Sequence, residues 1–183
     1  MPKIIKDIEE IIFQTALNMF TEYGYKSVDM KGIAKNAGIA VGTLYNYYPN
    51  KQQLFLDVFK KSWEDTFSRL DEHAKFHGVS DFIEILYDEI DKRKGLGKQL
   101  TDLGKQKEEL KEQFYFIKEG LRKRFIAILN SEHNRGQQLI EMGMDERLLE
   151  MVINATVGML IKYSNEREKN IEFLNRIING FFG

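Results

Sequence analysis

The chain has no cysteine in its 183 residues. Disulfides, thiolate nucleophiles and cysteine-ligated metals are therefore excluded, and the composition fits a reducing compartment. Proline occurs twice, at Pro2 and Pro49, so almost nothing interrupts a helix between them or after them. Histidine occurs three times. His73 and His77 are spaced for one helix face, but no HExxH pattern surrounds them and only His133 remains elsewhere. Solvated histidines are the expectation, with no metal and no cofactor. Charge of either sign is balanced, with a formal net charge of −1, so no global field draws the chain to nucleic acid. Long apolar runs are missing too. The longest apolar region, Leu148–Ile161, is broken by Glu150 and Asn154 and is too short to span a bilayer. The opening MPKIIKDIEEII places acids where an export signal needs an apolar stretch. A cytoplasmic protein with no membrane partner is expected.

What is present is helical periodicity along nearly the whole chain, which makes the class all-α. The first helix is expected from Lys3 to Tyr23, with Ile8, Ile12, Ala16, Met19, Phe20 and Tyr23 apolar and Gly24 as its stop. A second helix begins after Ser27 or Asp29, either of which can cap it, and ends at Gly38. A short helix covers Val41–Tyr47. Asn50 and Gln53 have capping-box spacing for a long helix that reaches Phe76. Further helices are expected over Ser80–Lys94, Lys98–Gly104, Lys105–Ser131, Asp145–Arg167 and Lys169–Gly180, with Gly95–Gly97 and Gly136–Gly143 as loops. Two modules follow, residues 1–49 and 50–183, sharing the long helix.

The segment AGIAVGTLYNYYPNK (Ala37–Lys51) is dense in aromatics without core spacing. Ala34 and Ala37 permit close helix approach, Gly38 makes a turn, and Ile39 fills beneath it. Two short helices so joined form a helix-turn-helix. Only Leu44 and Tyr48 fit a core, which leaves Thr43, Tyr45, Asn46 and Tyr47 outward. Hydroxyls and an amide on an exposed helix suit phosphates and base edges. The plainer alternative is a helix-loop-helix whose tyrosines pack on a neighbour.

The run from Ile11 to Phe55 resembles the DNA-binding module of the tetracycline-repressor family of bacterial transcription regulators. The resemblance rests on Ala16…Phe20…Gly24-Tyr25, Ile33-Ala34…Ala37-Gly38, Gly42-Thr43-Leu44-Tyr45…Tyr47-Tyr48 and Lys51…Leu54-Phe55, about a quarter of the chain. It implies an N-terminal three-helix DNA-binding module and a C-terminal helical domain for ligand binding and dimerisation. It implies that Thr43, Tyr45 and Tyr47 touch phosphates or bases, that Asn46 reaches base edges, and that Lys51 binds phosphate with the amides of its helix. Ser27, Asp29 and Lys31 would face the flanking backbone. The implied partners are a double-stranded, palindromic operator, a second copy of the chain, and a small apolar or aromatic effector that releases a repressor from DNA.

Two positions leave the family pattern. Ala40 stands where Ser or Thr often caps the recognition helix, and Val41 stands where a polar residue is common. Val41 cannot bind phosphate but can touch a thymine methyl. The module is also only weakly basic. Lys3, Lys6, Lys26, Lys31, Lys35 and Lys51 against Asp7, Glu9, Glu10, Glu22 and Asp29 leave a net +1. Few phosphate contacts and a shallow salt dependence are expected.

The C-terminal half has more apolar residues than single amphipathic faces need. Leu148, Val152, Ala155, Gly158 and Met159 on one helix, with Ile171, Leu174, Ile178 and Phe181 on the last, are assigned to a two-fold four-helix interface. Trp63, Phe67, Phe82, Leu86, Tyr87, Ile90, Leu103, Phe114, Ile117, Leu121 and Phe125 are candidates to line an effector pocket. Ordinary core is the alternative for each. Gly95-Leu96-Gly97-Lys98 lacks the upstream glycine of a phosphate-binding loop, and no catalytic set can be assembled, so no enzyme is expected. The competing class is a helical lipid or small-molecule carrier, or an enzyme, whose helix-turn-helix is structural.

Overall fold

A computed structural model describes residues 8–73, 78–93, 108–131 and 133–181. The described residues form helices and turns with no strand. The helices are α1 (Ile8–Ser27), α2 (Met30–Asn36), α3 (Val41–Tyr47), α4 (Lys51–His73), α5 (Gly78–Lys92), α6 (Glu108–Ser131), α7 (His133–Glu141), α8 (Asp145–Lys162) and α9 (Arg167–Asn179). The expected Lys98–Gly104 helix and Leu103 lie outside the described residues.

Local chemistry accounts for the boundaries. In α1, Gly24 adopts φ 77°, ψ 159°, so the regular helix breaks where the sequence indicates. Asp29, not Ser27, caps α2: its Oδ1 accepts the Gly32 amide at 2.7 Å. At the other end Gly38 sits at φ 67°, and the Ile39 amide donates to the Ala34 carbonyl at 3.0 Å. That closes α2 as a left-handed terminus. Asn50 Oδ1 accepts the Gln53 amide at 2.9 Å, half of the expected capping box. The other half is replaced, because Gln53 Nε2 turns forward to Asp57.

Two boundaries differ from expectation. Residues 133–141 are helical, not loop, so two glycines in Gly136–Gly143 do not make one loop; only Gly143 takes a left-handed φ, of 65°. The helix expected to reach Arg167 stops at Lys162. A break over Tyr163–Glu166 precedes α9.

The described residues fall into two compact units. The first takes in the chain through Trp63, with Arg93 and residues 108–113; the second takes in residues 64–92 and 114–181. The first unit is built on Ile12, Ala16, Phe20, Ile33, Ala34, Leu44, Leu54 and Phe55, all without measurable exposure. Phe20 and Tyr25 both pack on Phe55, at centroid distances of 5.1 and 5.0 Å.

In the second unit α5, α8 and α9 pack on one another. Its core includes Ile83, Leu86, Leu149, Val152, Leu174 and Ile178. Two buried polar residues there, Glu89 and Asn170, are paired. Glu89 accepts from the Thr66 hydroxyl at 2.8 Å and pairs with Arg69 and Lys92. Asn170 donates to the Tyr87 hydroxyl and to the Tyr163 carbonyl, both at 2.9 Å, which fastens α9 to α5.

Candidate nucleic-acid interface

α3 is seven residues long, too short to persist by itself. It is held from one side, since Leu44 alone among its residues is buried. The opposite side carries Tyr45 at 48% and Tyr47 at 41% exposure, with Asn46 exposed between them. Val41 and Thr43 are half-buried. Tyr48 is half-buried, and its phenol is pushed above the usual range by burial and by the nearby charges of Asp57 and Glu9. The tyrosines therefore divide, Tyr48 inward and Tyr45 and Tyr47 outward. α2 packs against both α1 and α3, with the small Ala34 and Ala37 buried.

Ala40 occupies the N-cap of α3 in extended conformation and makes no side-chain cap. Ala40→Ser should therefore stabilise the first unit by about 0.5–2 kcal/mol, read as a shift in its denaturation midpoint. No shift, or a lower midpoint, would mean the amides of α3 already have partners.

Ser27, at the end of α1, and Asp29 and Lys31, at the start of α2, are all exposed. Asp29 is occupied as a cap. An open groove of about 490 Å³ is lined by Asp29, Met30, Lys31, Tyr45, Pro49, Asn50 and Lys51. Of these, the family resemblance assigns Asp29, Lys31, Tyr45 and Lys51 to DNA; the groove joins the start of α2, α3 and the start of α4. Lys51 makes contacts within the chain. Its ammonium donates to the carbonyls of Tyr25 and Val28, both at 2.8 Å, and lies 4.3 Å from the centre of the Tyr25 ring.

The description "Bacterial regulatory proteins, tetR family" matches residues 12–58 of this sequence. Residues 12–58, about a quarter of the chain, are therefore of the tetR type. Over 66 residues it is 36% identical to the uncharacterized HTH-type transcriptional regulator YuxN of Bacillus subtilis, covering 36% of this chain and 23% of that one. Over 70 residues it is 34% identical to the HTH-type transcriptional repressor KstR of Rhodococcus jostii, covering 38% and 31%. The chain thus matches about a quarter to a third of these relatives' length. The fold extends further. The transcriptional regulator FadR of Bacillus subtilis, solved with stearoyl-CoA, superposes with a TM-score of 0.70 at 19% identity over 96% of this chain and 98% of that one. These relatives are regulators of transcription, and the tetR family is not enzymatic.

The remaining sequence assignments divide by burial. Phe67, Phe82, Leu86, Tyr87, Ile117, Leu121 and Phe125 are buried in the second unit, with Phe82 and Phe125 at a ring separation of 5.4 Å. Ile90 is half-buried there. Trp63 is buried but belongs to the first unit, where Arg93 lies 5.0 Å from its ring. Phe114 is exposed to solvent.

The residues assigned to the interface divide by burial as well. Leu148, Val152, Ile171, Leu174 and Ile178 are buried within the single chain. They hold α8 and α9 to their own unit. Ala155, Gly158 and Met159 are half-buried and Phe181 is exposed. The outward apolar residues are Met151, Val157 and Ile161 on α8 and Phe173 on α9, with Ile161 at 76% exposure. A Cβ added to Gly158 would meet nothing within 4 Å.

No group of three acidic or histidine side chains that could hold a metal occurs among the described residues. Among them no helix is long and apolar enough to cross a membrane.

Proposed function

We propose that this protein is a ligand-responsive repressor that binds a palindromic DNA operator as a homodimer. The observation that carries the reading is α3: a helix anchored by one leucine, with Tyr45, Asn46 and Tyr47 turned to solvent beside the groove at Lys31. A helix-turn-helix presents such a face to the major groove, and its phosphate contacts fix register. Thr43 and Val41 lie at the edge of that face, Val41 suited to a thymine methyl.

Dimerisation is assigned to the outward side of α8 and α9: Met151, Val157, Ile161, Phe173 and Phe181, with Gly158 leaving room for close helix approach. A two-fold axis there would set the spacing of two recognition helices. The effector is assigned to the second unit, among Phe82, Leu86, Ile117, Leu121 and Phe125. Their apolar character favours an apolar molecule, and the acyl-CoA bound by the structurally similar FadR is the natural probe. α4 has residues in both units, so a ligand with higher affinity for one conformation of the second unit can shift the DNA-bound population.

Selection from a random duplex library tests the reading. Enriched sequences should be inverted repeats, and stearoyl-CoA should release the protein from them. Enrichment of single, non-repeated sites would remove the dimer, and no enrichment would remove the DNA-binding function.

A further inference from the structure

Lys51 is the first residue of α4 and one of two cations lining the groove at the start of α2. An ammonium has three N–H donors. Two of them are directed at the carbonyls of Tyr25 and Val28, at 2.8 Å each. The Tyr25 carbonyl belongs to the last residues of α1, just after the break at Gly24, and the Val28 carbonyl to the connection between α1 and α2. The Tyr25 ring covers the ammonium from a further side at 4.3 Å, and that ring is itself packed on Phe20 and Phe55. Lys51 is half-buried. Lys31, across the groove, is exposed and makes no hydrogen bond or ion pair among the described residues.

Resting on the DNA-binding reading above, we propose that Lys51 is a positioning residue: it clamps the α1–α2 connection and so sets the cap Asp29 and the cation Lys31 against the recognition helix, while Lys31 supplies the phosphate contact. The physical reason is competition for donors. Turning Lys51 to DNA would leave two partly buried carbonyls without a partner, at the desolvation cost of each. Lys31 has no such partners to abandon.

The two roles separate in the salt dependence of binding. A lysine that neutralises a phosphate contributes about 0.9 to the slope of log K against log salt for each protomer, whereas a lysine that orders a loop contributes nothing to it. Binding to a fluorescein-labelled random-sequence duplex is measured across salt for the full chain, Lys31→Gln and Lys51→Gln. Lys31→Gln should flatten the line by about that amount. Lys51→Gln should lower the line at every salt concentration without tilting it. A tilt in Lys51→Gln equal to that of Lys31→Gln overturns the proposal. Should Lys51→Gln unfold, the unsubstituted protein still decides. The Lys51 ammonium nitrogen resonance should be protected from exchange before DNA is added and little changed after, while that of Lys31 moves. An unprotected Lys51 signal that shifts with DNA overturns it. Failure of the unsubstituted protein to bind any duplex at low salt would defeat the DNA-binding reading, and the clamp's role in it; binding with a tilted Lys51→Gln line defeats the clamp alone.

Discussion

Leu44→Ala should abolish most DNA binding while leaving the second unit folded. Leu44 is fully buried and is the single anchor of α3. Leucine-to-alanine changes in cores cost about 2–5 kcal/mol, partly through the cavity left behind. α3 has little else to spend against that loss. It spans under two full turns, and Ala40 gives it no side-chain cap. The helix should then be populated as an ordered recognition surface only a fraction of the time, and apparent affinity falls by that fraction. A drop of about tenfold or more is expected in an anisotropy titration, since each 1.4 kcal/mol is tenfold. Hydrogen exchange should show faster exchange in residues 41–47 with α8 and α9 unchanged. Wild-type affinity in this variant would mean that α3 is held by its partner rather than by its own core.

Gly120→Ala should destabilise the second unit even though alanine is the better helix former. Gly120 lies inside α6, where the exchange alone favours the helix by about 1 kcal/mol. A Cβ there would stand 2.3 Å from Phe67 Cζ and 2.4 Å from Cε2. The ring cannot simply swing away. Phe67 is buried, Arg124 lies 4.3 Å from the ring centre, and Phe116 packs at 5.7 Å. Arg124 also ties the two backbones together, with Nε donating to the Phe67 carbonyl at 3.1 Å and Nη1 to the Gly120 carbonyl at 2.9 Å. Overpacking of this kind costs about 1–3 kcal/mol, so the clash should outweigh the propensity gain. The melting temperature should fall by a few degrees. A rise would show that α4 and α6 can separate without loss. Phe67→Leu should recover part of the stability lost in Gly120→Ala, since it withdraws the ring atoms that the new methyl meets.

The relation of sequence to site is clearest at α3 and poorest at α8. Around α3, punctuation and spacing carry nearly everything: Gly38 can take φ 67° cheaply, Ala34 and Ala37 leave room, and one leucine in a polar-aromatic run can only point inward. α8 is apolar on more than one side, so its sequence is compatible with several faces being buried. The residues first assigned to a second copy, among them Leu148 and Val152, are in the chain's own core. Those left outside include Met151, Val157 and Ile161.

Lys51 shows a different limit. Its position at the start of α4 and its charge point to phosphate, and nothing in the linear order places it beside the Tyr25 and Val28 carbonyls. Such a contact joins residues more than twenty positions apart, and its partners are backbone atoms that every residue has. The sequence by itself determined the all-α class, the helix-turn-helix and the outward side of α3, because these depend on local spacing and on glycine and capping chemistry. Only the tertiary structure decided which apolar residues fill the core, which face of α8 stays open, and what the Lys51 ammonium holds. Each of those is a choice between partners that local sequence offers equally and that packing and desolvation settle.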